Sequence, residues 1–140
     1  MNLIHPWSRP ALALLLALAL GVWGSAHAAD QKLAGDNEVP PVKTMATGLG
    51  NISVAADGTV TGKVSTKGVN GTMAHIHTGA PGQNGPPIIT LVKGSDGEWM
   101  VPPGARLSTE QMKSYKAGNL YINVHSDTNK DGEIRAQLKP

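Results

Sequence analysis

Leu49-Gly-Asn-Ile-Ser-Val-Ala55 and Thr59-Val-Thr-Gly-Lys-Val-Ser65, joined by Ala56-Asp57-Gly58, decide how this chain folds. Both runs alternate apolar with polar side chains, the period of a half-buried strand. The Asp-Gly step between them is a hairpin signal, because glycine accepts the positive φ that tight turns demand. Outward from this hairpin the pattern repeats. Gly71 to His77, Ile88 to Val92, Asn119 to His125 and Glu133 to Leu138 are short β-rich segments set between Gly- and Pro-rich turns. Gly79 to Pro87, which contains Asn84-Gly85, is a loop. Leu33 and the Val39-Pro-Pro-Val42 stretch are expected at an edge or in an extended arm, since proline cannot donate to a ladder.

One helix interrupts the strands. Ser108 is positioned to cap Thr109 to Lys116, Gln111 completes a capping box, and Gly118 stops the turn. Strands at this spacing with one short helix near residues 108–117 predict an all-β Greek-key sandwich or barrel.

The first residues read differently from the rest. Ala11 to Val22 is an unbroken apolar run of about a dozen residues, shorter than the ~20 that cross a bilayer. Ala26 and Ala28 put small side chains at −3 and −1 of a cleavage site. Residues 1–28 are therefore expected to be a cleaved signal peptide, and residues 29–140 a single periplasmic or secreted domain with no membrane contact after cleavage. Of the 12 basic residues only Arg9 precedes that cut, so 11 face 10 acids in the mature chain. A near-neutral chain without a basic stretch is not expected to bind nucleic acid. With no cysteine and no phenylalanine, the core must be made from aliphatic side chains and held by packing and pairing, or by a metal.

His75 and His77 lie two apart on one predicted strand, so both imidazoles leave the same face about 6.5 Å apart. His125 ends another strand and shares a face with Tyr121 and Asn123. If those faces meet, three imidazoles can close on one ion at about 2.0–2.1 Å. Met73 continues the His75 face and offers a thioether; imidazole with thioether favours copper, Cu(I) above all, with zinc second. The alternative is that the three histidines only pack and hydrogen-bond to the loops beside them. Asp127-x-Asn129-x-Asp131-Gly132 has the alternating oxygens of a calcium loop but carries Leu138 at its twelfth position, so a polar hairpin loop is expected there. Nothing supports nucleophilic catalysis: there is no cysteine, no Gly-x-Ser-x-Gly and no evident relay.

Three stretches together resemble the CHRD domain, a module first described in chordin. They are Leu33-Ala-Gly-Asp-Asn-Glu-Val-Pro-Pro-Val42, Ala74-His-Ile-His-Thr-Gly-Ala-Pro-Gly-Gln-Asn-Gly-Pro-Pro87, and Gly118 to His125 with Gly132-Glu-Ile-Arg135. The resemblance, to the bacterial exported members, implies an all-β immunoglobulin-like or barrel-like domain, usually without an assigned activity, and carries the histidines matched here by His75, His77 and His125. The chain departs from that pattern in Ser126 to Asp131, where a His-Pro link is usual, and at Ala136, where glycine is common. The His-Ile-His strand is also similar, more distantly, to the copper-binding strand of copper/zinc superoxide dismutases. With three histidines at most a single copper-like site can form. Metal handling outside the cytoplasm is thus the first expectation, an envelope interaction module without metal the second, and a superoxide dismutase-like enzyme the third.

Overall fold

The computed structural model describes residues 30–140; the expected signal peptide and its cleavage site lie outside them. Strand β2 (Thr47–Val54) turns through Ala56-Asp57-Gly58 into β3 (Val60–Lys67). Ala55 N donates to Thr59 O, Thr59 N donates to the Asp57 carboxylate, and Gly58 takes φ +89°. The turn residues thus set the register that keeps Ile52, Val60 and Val64 on the inner face.

Around this hairpin stand β1 (Gln31–Ala34), β4 (Gly71–Thr78), β5 (Pro87–Thr90), β6 (Val92–Lys93), β7 (Glu98–Met100), β8 (Leu120–Ser126) and β9 (Ile134–Gln137). All pair antiparallel in one sheet of order β5-β4-β8-β9-β1-β2-β3-β7-β6. β3 and β4 are consecutive but not neighbours, and the same holds for β7 and β8. These crossings make the Greek-key character. The sheet's two ends, β5 and β6, are successive parts of one segment separated by Leu91. Leu91 N donates to Ala74 O at 2.9 Å and Lys93 Nζ to Gly71 O at 2.7 Å. The segment therefore leaves β4 for β7 within a few residues and nearly closes the sheet into a barrel, which removes the exposed edges an open sheet would present.

Inside lie Leu33, Ile52, Val64, Ala74, Ile76, Leu91, Ile122, Val124 and Ile134, with Trp99 as the one large aromatic. Each such aliphatic burial contributes about 1.5–3 kcal/mol. Helix α1 (Thr109–Lys116) forms as expected: Ser108 Oγ accepts from Gln111 N, Gln111 Oε1 accepts from Ser108 N, and Gly118 follows at φ +75°.

Two expectations are corrected. Leu33 is not at an edge: Gln31–Ala34 pairs with β2 on one side and β9 on the other, and Leu33 is buried. The prolines come after the strand, so no ladder donor is missing where it pairs. Ile88 to Val92 is two short strands instead of one, because the chain changes partner at Leu91. β7 was not visible as periodicity, since three residues between Gly97 and Pro102 are too few to show one.

Candidate metal centre

Alternation along β4 and β8 sorts their side chains. Ala74 and Ile76, with Leu120, Ile122 and Val124, enter the barrel; His75 and His77, with Tyr121, Asn123 and His125, leave it. The register pairs Met73 with His125, His75 with Asn123 and His77 with Tyr121, so the three histidines share one outer face. That face is largely covered, with His75 half-buried and Met73 half-exposed. Its β8 members Tyr121, Asn123 and His125 are buried under the 79–87 loop, the 35–44 arm and the 127–133 loop, which bond to them.

The three imidazoles meet. His75 Nδ1 and His125 Nε2 are 3.0 Å apart, and one nitrogen from each of the three rings lies within 4.8 Å of the other two. Two nitrogens on one ion at 2.0–2.1 Å stand about 3.4 Å apart in a tetrahedral set and at most about 4.2 Å, so the widest pair must close by roughly 0.6–1.4 Å. Side-chain rotation of that size is within reach of paired strands. Among the described residues this is the one group of three or more His, Asp or Glu ligands gathered so closely.

Backbone carbonyls hold two of the rings in a ligating tautomer. His77 Nδ1 lies 2.9 Å from Gly85 O, and His125 Nδ1 lies 2.8 Å from Lys130 O. A carbonyl only accepts, so each Nδ1 carries the proton and each Nε2 keeps its lone pair. His77 Nε2 is buried with no hydrogen-bond partner. Burial lowers the His77 pKa to about 4, helped by the neighbouring His125, His75 and Arg135, and burial with His125 also lowers that of His75. Both rings are therefore neutral at neutral pH, the state that binds metal. Met73, opposite His125 and half exposed, stands on the same face at the solvent side.

A stack supports the His77 imidazole. The His77 ring lies parallel to Tyr121 at 4.7 Å, and the Arg135 guanidinium caps Tyr121 at 3.4 Å. Arg135, fully buried, donates to Asn84 Oδ1, Ala80 O and Gln83 O and so ties β9 to the loop that orients His77. Asn84 Nδ2 donates to Val39 O, and Asn37 Nδ2 donates to Arg135 O. Asn123 Nδ2 donates to both oxygens of Glu38 at 2.8 and 3.0 Å. Burial raises the Glu38 pKa to about 7, against the opposing pull of Asn123 and Arg135. A Cβ on Gly132 would come within 2.4 Å of Asn123 Nδ2 and 2.8 Å of Glu38 Oε1, which is why glycine stands there.

Glu38 and the partners of Arg135 were not legible as site residues in the sequence. The one signal was that Glu38 lies between Asn37 and a Pro-Pro pair in a polar arm, which says nothing of what it lies against. The acidic segment is a turn in which Asn129 O accepts from Ser126 N and Gly132 N, while Asp127 and Asp131 are exposed.

The fold and site together define a small antiparallel barrel with a partly buried three-histidine cluster on its outer face, roofed in part by its own loops. A family model for the CHRD domain matches residues 30–138, and the chain belongs to that family. The three stretches that carried the resemblance are the ones that interlock here, through Glu38–Asn123, Asn84–Val39 and Arg135–Asn84. Comparison with curated proteins gives no match, and comparison with solved structures gives none either.

Proposed function

We propose that this CHRD-domain protein binds one metal ion, copper ahead of zinc, through His75, His77 and His125, and handles or buffers it outside the cytoplasm. The observation that carries the reading is the buried, partnerless Nε2 of His77 beside the His75–His125 pair. A buried polar atom left without a partner costs about 1–3 kcal/mol. An ion would turn that cost into a bond. The carbonyls of Gly85 and Lys130 are the outer-shell acceptors that ligating histidines ordinarily have. Three imidazoles with Met73 at the open side suit copper, and Cu(I) in particular. The N-terminal apolar run followed by Ser25-Ala-His-Ala28 supports export.

A second reading, an envelope interaction module in which the histidines only pack, is favoured by one contact. His75 Nδ1 and His125 Nε2 satisfy one another at 3.0 Å without an ion. It leaves His77 Nε2 unexplained. The test is titration of purified mature protein with copper and with zinc, followed by thermal melting. One ion per chain and a raised melting temperature are expected, both lost in His75→Ala and His125→Ala. Metal content unchanged in both variants would leave the packing reading.

A further inference from the structure

We infer that Glu38, without being a ligand, is the proton-carrying counter-charge of the three-histidine site, so that capture of an ion drives a proton off its carboxyl group. The inference rests on the metal reading above. The three ligands bring no negative charge, and the nearby Arg135 is already a buried cation. An entering ion adds positive charge beside two buried rings and one half-buried ring, where water screens it only in part, and a nearby anion strengthens its binding.

Glu38 is placed to be that anion. It is 5% exposed, and its two oxygens share the single Nδ2 group of Asn123. Asn123, 2% exposed, has its Oδ1 buried with no partner. Both Glu38 oxygens therefore rest on a single neutral amide donor, and among the described residues no Lys, Arg or His forms an ion pair with them, so no contact holds the carboxyl group ionised. Asn123 stands directly opposite His75 and two residues from His125 on the same face, so only one side chain separates Glu38 from the ligands. Arg135 faces Glu38 from β9, Asp30, Lys32, Asp36 and Lys139 share its cleft, and Glu133 is turned away to accept from Thr44 Oγ1. That open cleft, about 650 Å3 and lined in part by Glu38, lets the released proton pass to water. The upward shift of Glu38 by burial agrees with a carboxyl group that holds its proton near neutrality until an ion arrives.

The experiment is titration of metal-free mature protein and Glu38→Gln with Zn(II) or Cu(II), whichever binds in the first titration, by calorimetry at pH 6 and pH 8. Outer-shell partners of metal ligands contribute about 10–100-fold in affinity. Glu38→Gln should therefore bind about 10–100-fold more weakly at pH 8, and gain less affinity from pH 6 to pH 8 than the parent does. Its melting temperature without metal at pH 8 should be equal to or above the parent's, because a neutral amide replaces a buried carboxylate. A merely structural glutamate would lower both. Equal affinity and equal pH dependence overturn the inference alone, as does a metal-free variant that melts lower or fails to fold. No ion uptake by the parent protein overturns the metal reading and this inference with it.

Discussion

Acidifying the metal-free protein from pH 7.5 to pH 5 should set two buried groups against one another, and two single substitutions expose the opposite trends. His77 has a folded pKa of about 4 against an ordinary 6.5, depressed first by burial. The unfolded chain therefore binds more protons, and the stability from His77 is present above 6.5 and lost as pH falls toward 4. Across pH 7.5 to 5 that loss is about 2 kcal/mol. Glu38 has a folded pKa of about 7 against 4.5, raised first by burial. Its contribution is full below 4.5 and lost as pH rises through 7, so the same acidification returns about 2 kcal/mol. The two terms oppose one another in the parent chain, where the lowered pKa of His75 adds to the His77 side. In Glu38→Gln the His77 term remains, and stability should fall by about 2 kcal/mol, a drop in melting temperature of roughly 10 °C. In His77→Phe the Glu38 term remains, and stability should rise as pH falls. Urea unfolding at both pH values, with Trp99 fluorescence as the probe, measures all three proteins. A Glu38→Gln protein whose stability stays flat from pH 7.5 to 5 would refute the opposition of these two buried groups.

Intact mass of the exported protein should correspond to a chain beginning at Ala29; a mass matching all 140 residues would contradict the cleavage site. Ser108→Ala removes one half of an exposed capping box and should cost about 1 kcal/mol, seen as a fall of roughly 4 °C in melting temperature. Copper-loaded protein should remove superoxide little better than chelated copper, because Arg135 is committed to the Ala80 and Gln83 carbonyls and residues 29–140 are near neutral. Turnover near the diffusional range, lost in His77→Ala, would make the protein an enzyme.

Much of the fold was legible because its signals are local. Alternation through Ile52, Val54, Val60 and Val64 fixes which side chains of β2 and β3 face inward, Leu49 falling on the exposed face, and Asp57-Gly58 determines where the chain turns. Ser108 with Gln111 sets the start of the helix. Those properties depend on residues a few positions apart. The candidate ligands were legible for the same reason. Period two on Met73, His75 and His77, and on Tyr121, Asn123 and His125, puts each set on one face of its own strand.

What joined the two faces was not local. That β8 lies beside β4 follows from the crossing over the barrel end and from burial of Ile76 against Ile122, contacts between residues far apart in the chain. The same holds for β1, whose place between β9 and β2 depends on where Leu33 finds a core, and for the split of residues 87–93 between two partners. Glu38 is the clearest case. A carboxylate followed by Val-Pro-Pro reads as solvated arm, and only the packing of that arm over β8 takes it out of water, against Asn123 and close to Arg135. By itself the sequence determined element type, facing and the three imidazoles, because backbone geometry and side-chain period act at short range. Burial, partner and charge state were decided by the tertiary structure, because they depend on which distant surfaces exclude water from one another.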